Sequence, residues 1–340
     1  MSKINVGVVG VGHLGRIHAK LYNDIPDARL SGVYDIDKER ARQIADETGC
    51  AMFESFDALL EAVDAVNIVT PTTTHFELAL KAIEHNRHVF IEKPIATREE
   101  EALRLIGAGN ARGLCIQVGH IERFNPAVTA LQGFDLQPVF IEAHRLAQFN
   151  PRGTDVAVIL DLMIHDLDLI LHLVKSEPVH VAASGVNVVS HNADIANARI
   201  EFENGCVANV TASRISAKKM RKMRIFQQSA YLSLDFNAGK ADAFYLPDAP
   251  GASGDMDFLK DLGQLDAADV KRVIRYKQLT REGVNPLKDE LQAFLDAVQG
   301  KRSVPVPADE GLKALGLARR VLKEIEHHHQ KWYAAHPVNL

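Results

Sequence analysis

The feature that most constrains this chain of 340 residues is a glycine pattern close to its N-terminus. Three glycines in the spacing G-x-G-x-x-G follow directly on the apolar run 4–9, and an amphipathic segment comes next. This order predicts a strand, a tight turn and a helix. Glycines at this spacing let the backbone approach a diphosphate, which the N–H groups at the start of the helix attract. The residues expected at the diphosphate are Gly10, Gly12, His13, Leu14 and Gly15.

A second predicted strand, residues 30–34, ends at Asp35, about 20 residues beyond the last glycine of the pattern. At this point of a dinucleotide-binding fold a carboxylate accepts hydrogen bonds from the adenosine ribose. The same carboxylate repels a 2'-phosphate. The sequence therefore predicts NAD as the cofactor, and Arg40 nearby leaves NADP as the alternative.

The composition is that of a globular protein, with 46% hydrophobic and 24% charged residues, and the chain is long enough for two domains. A net charge of -5 gives no reason to expect nucleic acid or a membrane as a partner. Three cysteines without a C-x-x-C pair predict neither a disulfide framework nor a metal site. Because the first strand follows Met-Ser-Lys directly and no apolar run spans a bilayer, we expect a cytoplasmic protein.

Strands and helices alternate over the first part of the chain, which predicts parallel strands with helical crossovers. We expect a doubly wound α/β domain, a Rossmann fold, over residues 1–122. Its five predicted strands are 4–9, 30–34, 65–69, 88–91 and 114–118.

Beyond this point strands come in succession, which predicts a second, α+β domain over residues 123–340 with a mostly antiparallel sheet covered on one face. Asn285-Pro286 is a typical helix start, and a last helix is predicted for 309–327. The loop-like stretch 247–254 is either a mobile lid or a connection. The predicted strands are 139–144, 179–189, 195–202, 207–213, 224–228 and 231–236.

In a doubly wound sheet, ligands bind beyond the carboxyl ends of the strands. Lys93 follows such a strand and precedes Pro94, so its ammonium is expected at the reacting end of the cofactor. There it polarises a substrate oxygen. The alternative is a strand-end lysine that reaches into solvent.

The segment 156–174 is apolar almost all round and predicts a buried helix that carries charged groups. Asp161 and His165 stand at i and i+4, where the carboxylate orients the imidazole as a general base requires. Asp168 lies one turn further along the same face. A core ion pair is the alternative role for these residues.

These residues together resemble the Gfo/Idh/MocA oxidoreductases, the family of glucose-fructose oxidoreductase and inositol dehydrogenase. The resemblance rests on the glycine pattern, on Glu92-Lys93-Pro94 and on Asp161-x-x-x-His165. The resemblance implies that Lys93, Asp161 and His165 form the catalytic group. It also implies an open sheet in the second domain that joins copies of the chain into a homodimer or homotetramer, and a cis peptide before Pro94. It also implies a cofactor site that includes Thr70, Pro71, His75, Glu92 and Lys93. The aliphatic stretch 156–160 departs from the glycine-rich lead-in of many members.

Residues 119–126 resemble the branch that acts on nucleotide-linked amino sugars, the UDP-N-acetylglucosamine 3-dehydrogenases. The implied reaction moves a hydride from a sugar carbon to NAD while His165 takes the hydroxyl proton. For Arg123 and Asn125 the alternatives are a surface arginine and a helix cap. A free cyclitol or monosaccharide is the competing substrate, and a non-catalytic NAD-binding regulator is the competing function. The expected substrate contacts are Lys93, His120, Arg123, Asn125 and His165.

Overall fold

The computed structural model describes residues 3–150, 156–246, 260–267 and 270–336, so the stretch 247–254 lies outside the described residues. The chain forms two compact units. One takes in residues up to Ile121 together with Asn285–Leu315, and the other Glu122–Val284 together with the residues from Gly316 onward. The segment 285–315, which the sequence analysis placed in the second domain, thus packs with the first unit.

The reason lies in the apolar face of helix α8 (Pro286–Val298), which is buried in the core of the first unit. Phe294 stands edge-on to Phe90 with 5.8 Å between the ring centroids. Asn285 caps this helix by accepting a hydrogen bond from the backbone N–H of Lys288, as its Asn-Pro start predicts.

The first unit is built on a parallel sheet with the strand order β3-β2-β1-β4-β5-β6. This order confirms the doubly wound fold, and it reverses between β1 and β4, where such folds bind nucleotides. The sheet has one strand more than predicted, because β3 is only two residues long. The strands are β1 (Ile4–Val9), β2 (Ala28–Tyr34), β3 (Ala51–Met52), β4 (Ala65–Ile68), β5 (His88–Glu92) and β6 (Ile116–Gly119).

Five further helices of this unit connect the strands and bury their apolar faces on the sheet. The carboxylate of Asp37 caps α2, and Gly49 ends it in a left-handed conformation with φ 71°. The helices are α1 (His13–Asn23), α2 (Lys38–Thr48), α3 (Phe56–Glu61), α4 (His75–Glu84) and α5 (Glu99–Asn110).

The second unit contains a nine-stranded sheet in the order β14-β15-β13-β12-β11-β7-β10-β9-β8. Its pairs are antiparallel except β7 with β10, which confirms the mostly antiparallel prediction. Strands β13 to β15 were not predicted. The strands are β7 (Phe140–Leu146), β8 (Pro178–Val186), β9 (Ile195–Phe202), β10 (Val207–Ser213), β11 (Met220–Gln227), β12 (Ala230–Asp235), β13 (Lys240–Tyr245), β14 (Lys260–Ala267) and β15 (Val270–Thr280).

Burial alternates along these strands, as in β7, where Ile141 and Ala143 are buried and their neighbours half-buried. The predicted apolar helix of this unit has two parts, a π-helical turn at Ile159–Met163 and helix α7 (Ile164–Val174). The short helix α6 (Pro126–Thr129) also belongs here, and the last helix, α9 (Ala308–Ala335), is longer than predicted.

Candidate active site

The glycine turn of the first unit has the close packing that the sequence predicts. Gly10 has φ 81°, and a Cβ there would lie 2.6 Å from Thr70 Cγ2. A Cβ on Gly15 would lie 1.9 Å from the carbonyl oxygen of Gly10, so the helix packs directly on the turn. Gly12 has nothing within 4 Å of its Cβ position, which leaves this side of the turn open. The turn therefore tolerates no side chain inside and has space for a ligand outside.

The start of α1 offers N–H groups to an anion. No side chain caps this helix, and its first residues His13 and Leu14 are exposed. Uncapped N–H groups at a helix N-terminus, with the positive end of the helix dipole, bind a diphosphate. This arrangement fits the diphosphate of NAD at the predicted position.

Asp35 is buried at the end of β2, and its carboxylate holds the glycine turn. Oδ2 accepts a hydrogen bond from Val11 N at 2.8 Å, and Oδ1 accepts one from Asp37 N at 2.9 Å. Arg40 Nη1 lies 3.6 Å from Asp35 Oδ2. Because each carboxylate oxygen has two lone pairs, Asp35 retains capacity for a ribose hydroxyl.

A cavity of about 490 Å³ adjoins Asp35 and the glycine turn. Its walls are mainly apolar, and Asp35 and Thr70 supply polar groups. An apolar slot beside a ribose-binding carboxylate fits an adenosine. Several lining residues were not predicted, although the position directly after Asp35 and the start of α4 after Thr70-Pro71 were available signals. They include Ile36, Thr74, Glu77 and Leu78, whereas Arg40, named above for NADP, also lines the cavity.

Thr70 and Pro71 line this cavity, whereas His75 lies behind it. The buried ring of His75 has Nδ1 2.8 Å from the carbonyl oxygen of Pro94 and Nε2 2.9 Å from that of Thr70. Burial lowers the pKa of His75, against the opposite effect of the two carbonyl groups. These two contacts connect the loop after β4 with the Lys93-Pro94 segment.

Lys93 is half-buried at the end of β5, and the peptide bond between Lys93 and Pro94 is cis, as the family resemblance implies. The neighbouring Glu92 carboxylate has protein partners in the unit's interior. Its Oε1 lies 3.2 Å from His18 Nε2, and its Oε2 accepts a hydrogen bond from Lys93 N at 3.3 Å. Glu92 therefore contacts the backbone at Lys93, and the cofactor contact expected for it stays a prediction.

In the second unit, Asp161 lies in the π-helical turn, and His165 lies in the first turn of α7. Both side chains are half-buried within an apolar segment. The helix therefore changes from π to α between these two residues, and the contact expected between their side chains stays a prediction. Such turns occur frequently at functional sites.

The core ion pairs of this segment involve two other residues of the helix. Asp168 binds Arg123, with Nε 2.8 Å from Oδ2. Asp166 binds Arg145 through Nε and Nη2, at 2.8 and 2.9 Å. Burial raises the pKa of Asp166 although Arg145 opposes the shift. The ion-pair alternative considered for this helix is therefore realised at Asp166 and Asp168.

The structure gives Arg123 and Asn125 protein partners. The carboxylate of Asp168 binds the buried guanidinium of Arg123 on two nitrogens. Asn125 caps α6 by accepting a hydrogen bond from Ala127 N at 3.0 Å, and its amide donates to Glu122 Oε2 at 3.0 Å. Asn125 thus matches the helix-cap alternative, and Arg123 is a core residue, which neither interpretation anticipated. His120 is buried in the first unit.

Two further properties of the structure bear on other classes of protein. Within the described ranges no helix combines the length and the hydropathy that a membrane crossing requires. In the same part of the chain, no group of three or more His, Cys, Asp and Glu side chains is arranged to hold a metal ion.

Comparison with known proteins agrees with this geometry. Residues 4–120 match the model of an oxidoreductase family with an NAD-binding Rossmann fold, and residues 137–232 match the GFO/IDH/MocA C-terminal domain. A UDP-N-acetylglucosamine 3-dehydrogenase from Acidithiobacillus ferrooxidans is 42% identical over 330 residues, which are 96% of this chain and 98% of that protein.

One solved structure and one other relative place this similarity in context. A solved structure of a UDP-N-acetylglucosamine 3-dehydrogenase from Acidithiobacillus ferrooxidans has a TM-score of 0.85 and 40% identity, covering 96% of this chain and 99% of that one. A scyllo-inositol 2-dehydrogenase (NAD(+)) from Bacillus subtilis is 32% identical over 63% of this chain and 68% of its own length. The chain therefore belongs to the Gfo/Idh/MocA family of NAD-binding oxidoreductases.

Proposed function

We propose that this protein oxidises the 3-hydroxyl of UDP-N-acetylglucosamine to a ketone, with NAD as the hydride acceptor. The observation that carries the proposal is 42% identity to a UDP-N-acetylglucosamine 3-dehydrogenase over 96% of this chain and 98% of that protein. The similarity to the Bacillus subtilis inositol relative covers only 63% of this chain. A cyclitol is therefore the second candidate substrate.

The proposed roles follow from the chemistry of three side chains. His165 takes the proton of the substrate hydroxyl, and Asp161 stabilises the imidazolium that forms. The Lys93 ammonium stabilises the negative charge that develops on the substrate oxygen. Bound NAD supplies the acceptor for the hydride that leaves the same carbon. The proton and the hydride together account for the two hydrogens lost when the alcohol becomes a ketone.

The cofactor preference is part of the proposal. The Asp35 carboxylate repels a 2'-phosphate. Its Oδ2 also lies 3.6 Å from Arg40 Nη1, so it pairs with the guanidinium that would otherwise attract the 2'-phosphate. We infer NAD as the physiological cofactor. Of the expected substrate contacts we retain Lys93, His120 and His165, and we assign Arg123 and Asn125 to holding the fold of the second unit.

A homodimer or homotetramer is proposed through the sheet of the second unit. Five adjacent strands carry a row of aromatic side chains on one face, with 4.8 Å between the rings of Phe226 and Tyr231. Phe226 is 36% exposed. An aromatic row of this kind is typical of a surface that a partner covers. The row comprises Phe140, Phe226, Tyr231, Phe244 and Tyr276.

A cytoplasmic location is also proposed, because Cys50, Cys115 and Cys206 are free thiols.

The substrate proposal is tested by mixing the protein with NAD and either UDP-N-acetylglucosamine or myo-inositol, and following NADH by its absorbance. We expect NADH to form with the nucleotide sugar. Formation with myo-inositol alone would overturn the substrate and favour the cyclitol. NAD binding without NADH formation from either compound would favour the regulator.

A further inference from the structure

The first unit contains a row of four polar side chains that begins at Tyr22 and ends at Glu92, the residue before Lys93. Tyr22 Oη donates to Asn67 Oδ1 at 2.7 Å, and Asn67 Nδ2 lies 3.1 Å from His18 Nδ1. His18 Nε2 lies 3.2 Å from Glu92 Oε1. Tyr22, Asn67 and His18 are at most 1% exposed. Polar groups buried this deeply are retained only when they satisfy one another.

The order of donors along this row fixes the proton on His18. Burial raises the pKa of Tyr22 well above its ordinary value, so its phenol is a donor to Asn67 Oδ1. The Asn67 amide nitrogen therefore faces the histidine, and an amide nitrogen only donates. His18 Nδ1 must accept, which places the ring proton on Nε2, the nitrogen beside Glu92.

The Glu92 carboxylate is fixed on its other sides as well. A Cβ on Gly119 would lie 2.9 Å from Glu92 Cδ, so the carboxylate packs on bare backbone of the neighbouring strand. Its second oxygen accepts the hydrogen bond from Lys93 N. Burial alone would raise the pKa of Glu92, but the nearby His18 imidazole and the charge of Lys93 outweigh burial and lower it. His75 is also in electrostatic contact with Glu92.

On these contacts we propose that Glu92, fixed by the Tyr22–Asn67–His18 row, is a positioning residue that keeps the ammonium of Lys93 charged and in place. A buried anion beside an amine favours the protonated amine, which is the form that stabilises a developing oxyanion. The inference rests on the role of Lys93 in the proposed function. Tyr22 and His18 of α1 and Asn67 of β4 would thus influence the reacting end of the site through Glu92.

The test measures the charge of Lys93 directly. Full-length protein without substrate is treated with an amine-acylating reagent over a range of pH, and modification of Lys93 is followed by peptide mass spectrometry. Because only the neutral amine reacts, the midpoint pH reports its protonation. We expect Glu92→Gln to lower the midpoint by about one pH unit. Tyr22→Phe, which removes one hydroxyl from the far end of the row, should lower it by less.

The matched control is Glu47→Gln, which removes a carboxylate that binds Arg16 and Lys20 on the surface. It should leave the midpoint unchanged. An unchanged midpoint in Glu92→Gln, or an equal shift in the control, overturns the inference. If Glu92→Gln does not fold, Tyr22→Phe decides: a midpoint unchanged from the wild type is then the contrary result.

The labelling also separates this inference from the proposed function. A lowered midpoint together with full turnover by Lys93→Ala would retain the coupling of Glu92 to Lys93 and remove the catalytic role. An unmoved midpoint with an inactive Lys93→Ala would remove the coupling alone.

Discussion

Arg145 and Asp166 form a buried bidentate ion pair, with Nε 2.8 Å from Oδ2 and Nη2 2.9 Å from Oδ1. Arg145 Nη1 also binds Glu122 Oε1 at 2.8 Å. Asp166 follows His165 directly in α7, so the pair fixes the turn of the helix that carries the proposed base. Loss of the arginine would leave the buried Asp166 carboxylate without this ion pair, whereas Glu122 would keep Arg221, whose Nη1 lies 3.7 Å from its Oε1.

We expect Arg145→Met to lower the free energy of unfolding by about 3–5 kcal/mol, the range for breaking a buried ion pair from one side. Urea denaturation measures the change. Arg16→Met is the control, because Arg16 pairs with Glu47 at an exposed site, and we expect a change of about 0.5 kcal/mol or less. Equal stability of Arg145→Met and wild type would show that the buried pair does not stabilise the second unit.

Asp194 predicts an acid-sensitive element in the same unit. Although burial raises its pKa, hydrogen bonds from the backbone of Val188, Val189 and Ser190 and from the Ser190 hydroxyl lower it from 3.8 to about 2. A carboxylate whose pKa is lower in the folded than in the unfolded protein stabilises the fold above pH ~4. This stabilisation is lost as the pH falls towards ~2.

Asp194→Asn should therefore lower the free energy of unfolding by about 2 kcal/mol at neutral pH. The difference from the wild type should shrink on acidification, because the Asp194 carboxylate binds a proton in the unfolded chain near pH ~4 and in the folded protein only near pH ~2. Urea denaturation at pH ~7 and pH ~3 tests this. A difference that is the same at both pH values would contradict the charge-based explanation.

Cofactor selectivity should depend on Asp35. Asp35→Asn keeps an acceptor for Val11 N and removes the negative charge beside Arg40. We expect the ratio of kcat/KM for NAD over NADP to fall by about tenfold, which corresponds to 1.4 kcal/mol of lost discrimination. Initial rates with both cofactors measure it. An unchanged ratio would mean that Asp35 does not set the preference for NAD.

The aromatic row predicts the effect of a charge in the sheet face. Phe226→Glu should convert the wild-type oligomer to monomers, because an isolated charge cannot be buried there without a partner. Size-exclusion chromatography with light scattering gives the mass. Leu103→Glu, at a 57% exposed position of α5, is the control and should keep the wild-type mass. A monomeric wild type would count against the proposed interface.

Much of the first unit could be predicted because short motifs dictate its local structure. The spacing of Gly10, Gly12 and Gly15 requires a tight turn, and Asp35 follows at the distance that a single βαβ crossover fixes. Strand β3 was missed because two residues carry no periodicity. The partners of His18 were missed because Asn67 and Glu92 are far from it in sequence, and only the parallel sheet brings the three together.

The second unit shows a different limit. Asp161, His165 and Asp168 were predicted to lie on one face of a continuous α-helix, but residues Ile159–Met163 form a π-helical turn, which no sequence pattern marks. The ion pairs with Arg145 and Arg123 depend on long-range packing. Asn285 was predicted as a helix cap because that signal is local, whereas the unit to which its helix packs was not.

The central claim, that Lys93 and His165 perform the reaction, is tested most directly by the rate of NADH formation from NAD and UDP-N-acetylglucosamine, with NAD affinity measured on the same samples. We expect Lys93→Ala and His165→Ala each to lower this rate by about 10²-fold or more with NAD affinity nearly unchanged. Lys81→Ala in α4 and His85→Ala directly after α4 are the controls. Both side chains are 40% exposed, and both variants should keep the wild-type rate. A wild-type rate in either Lys93→Ala or His165→Ala would contradict the account.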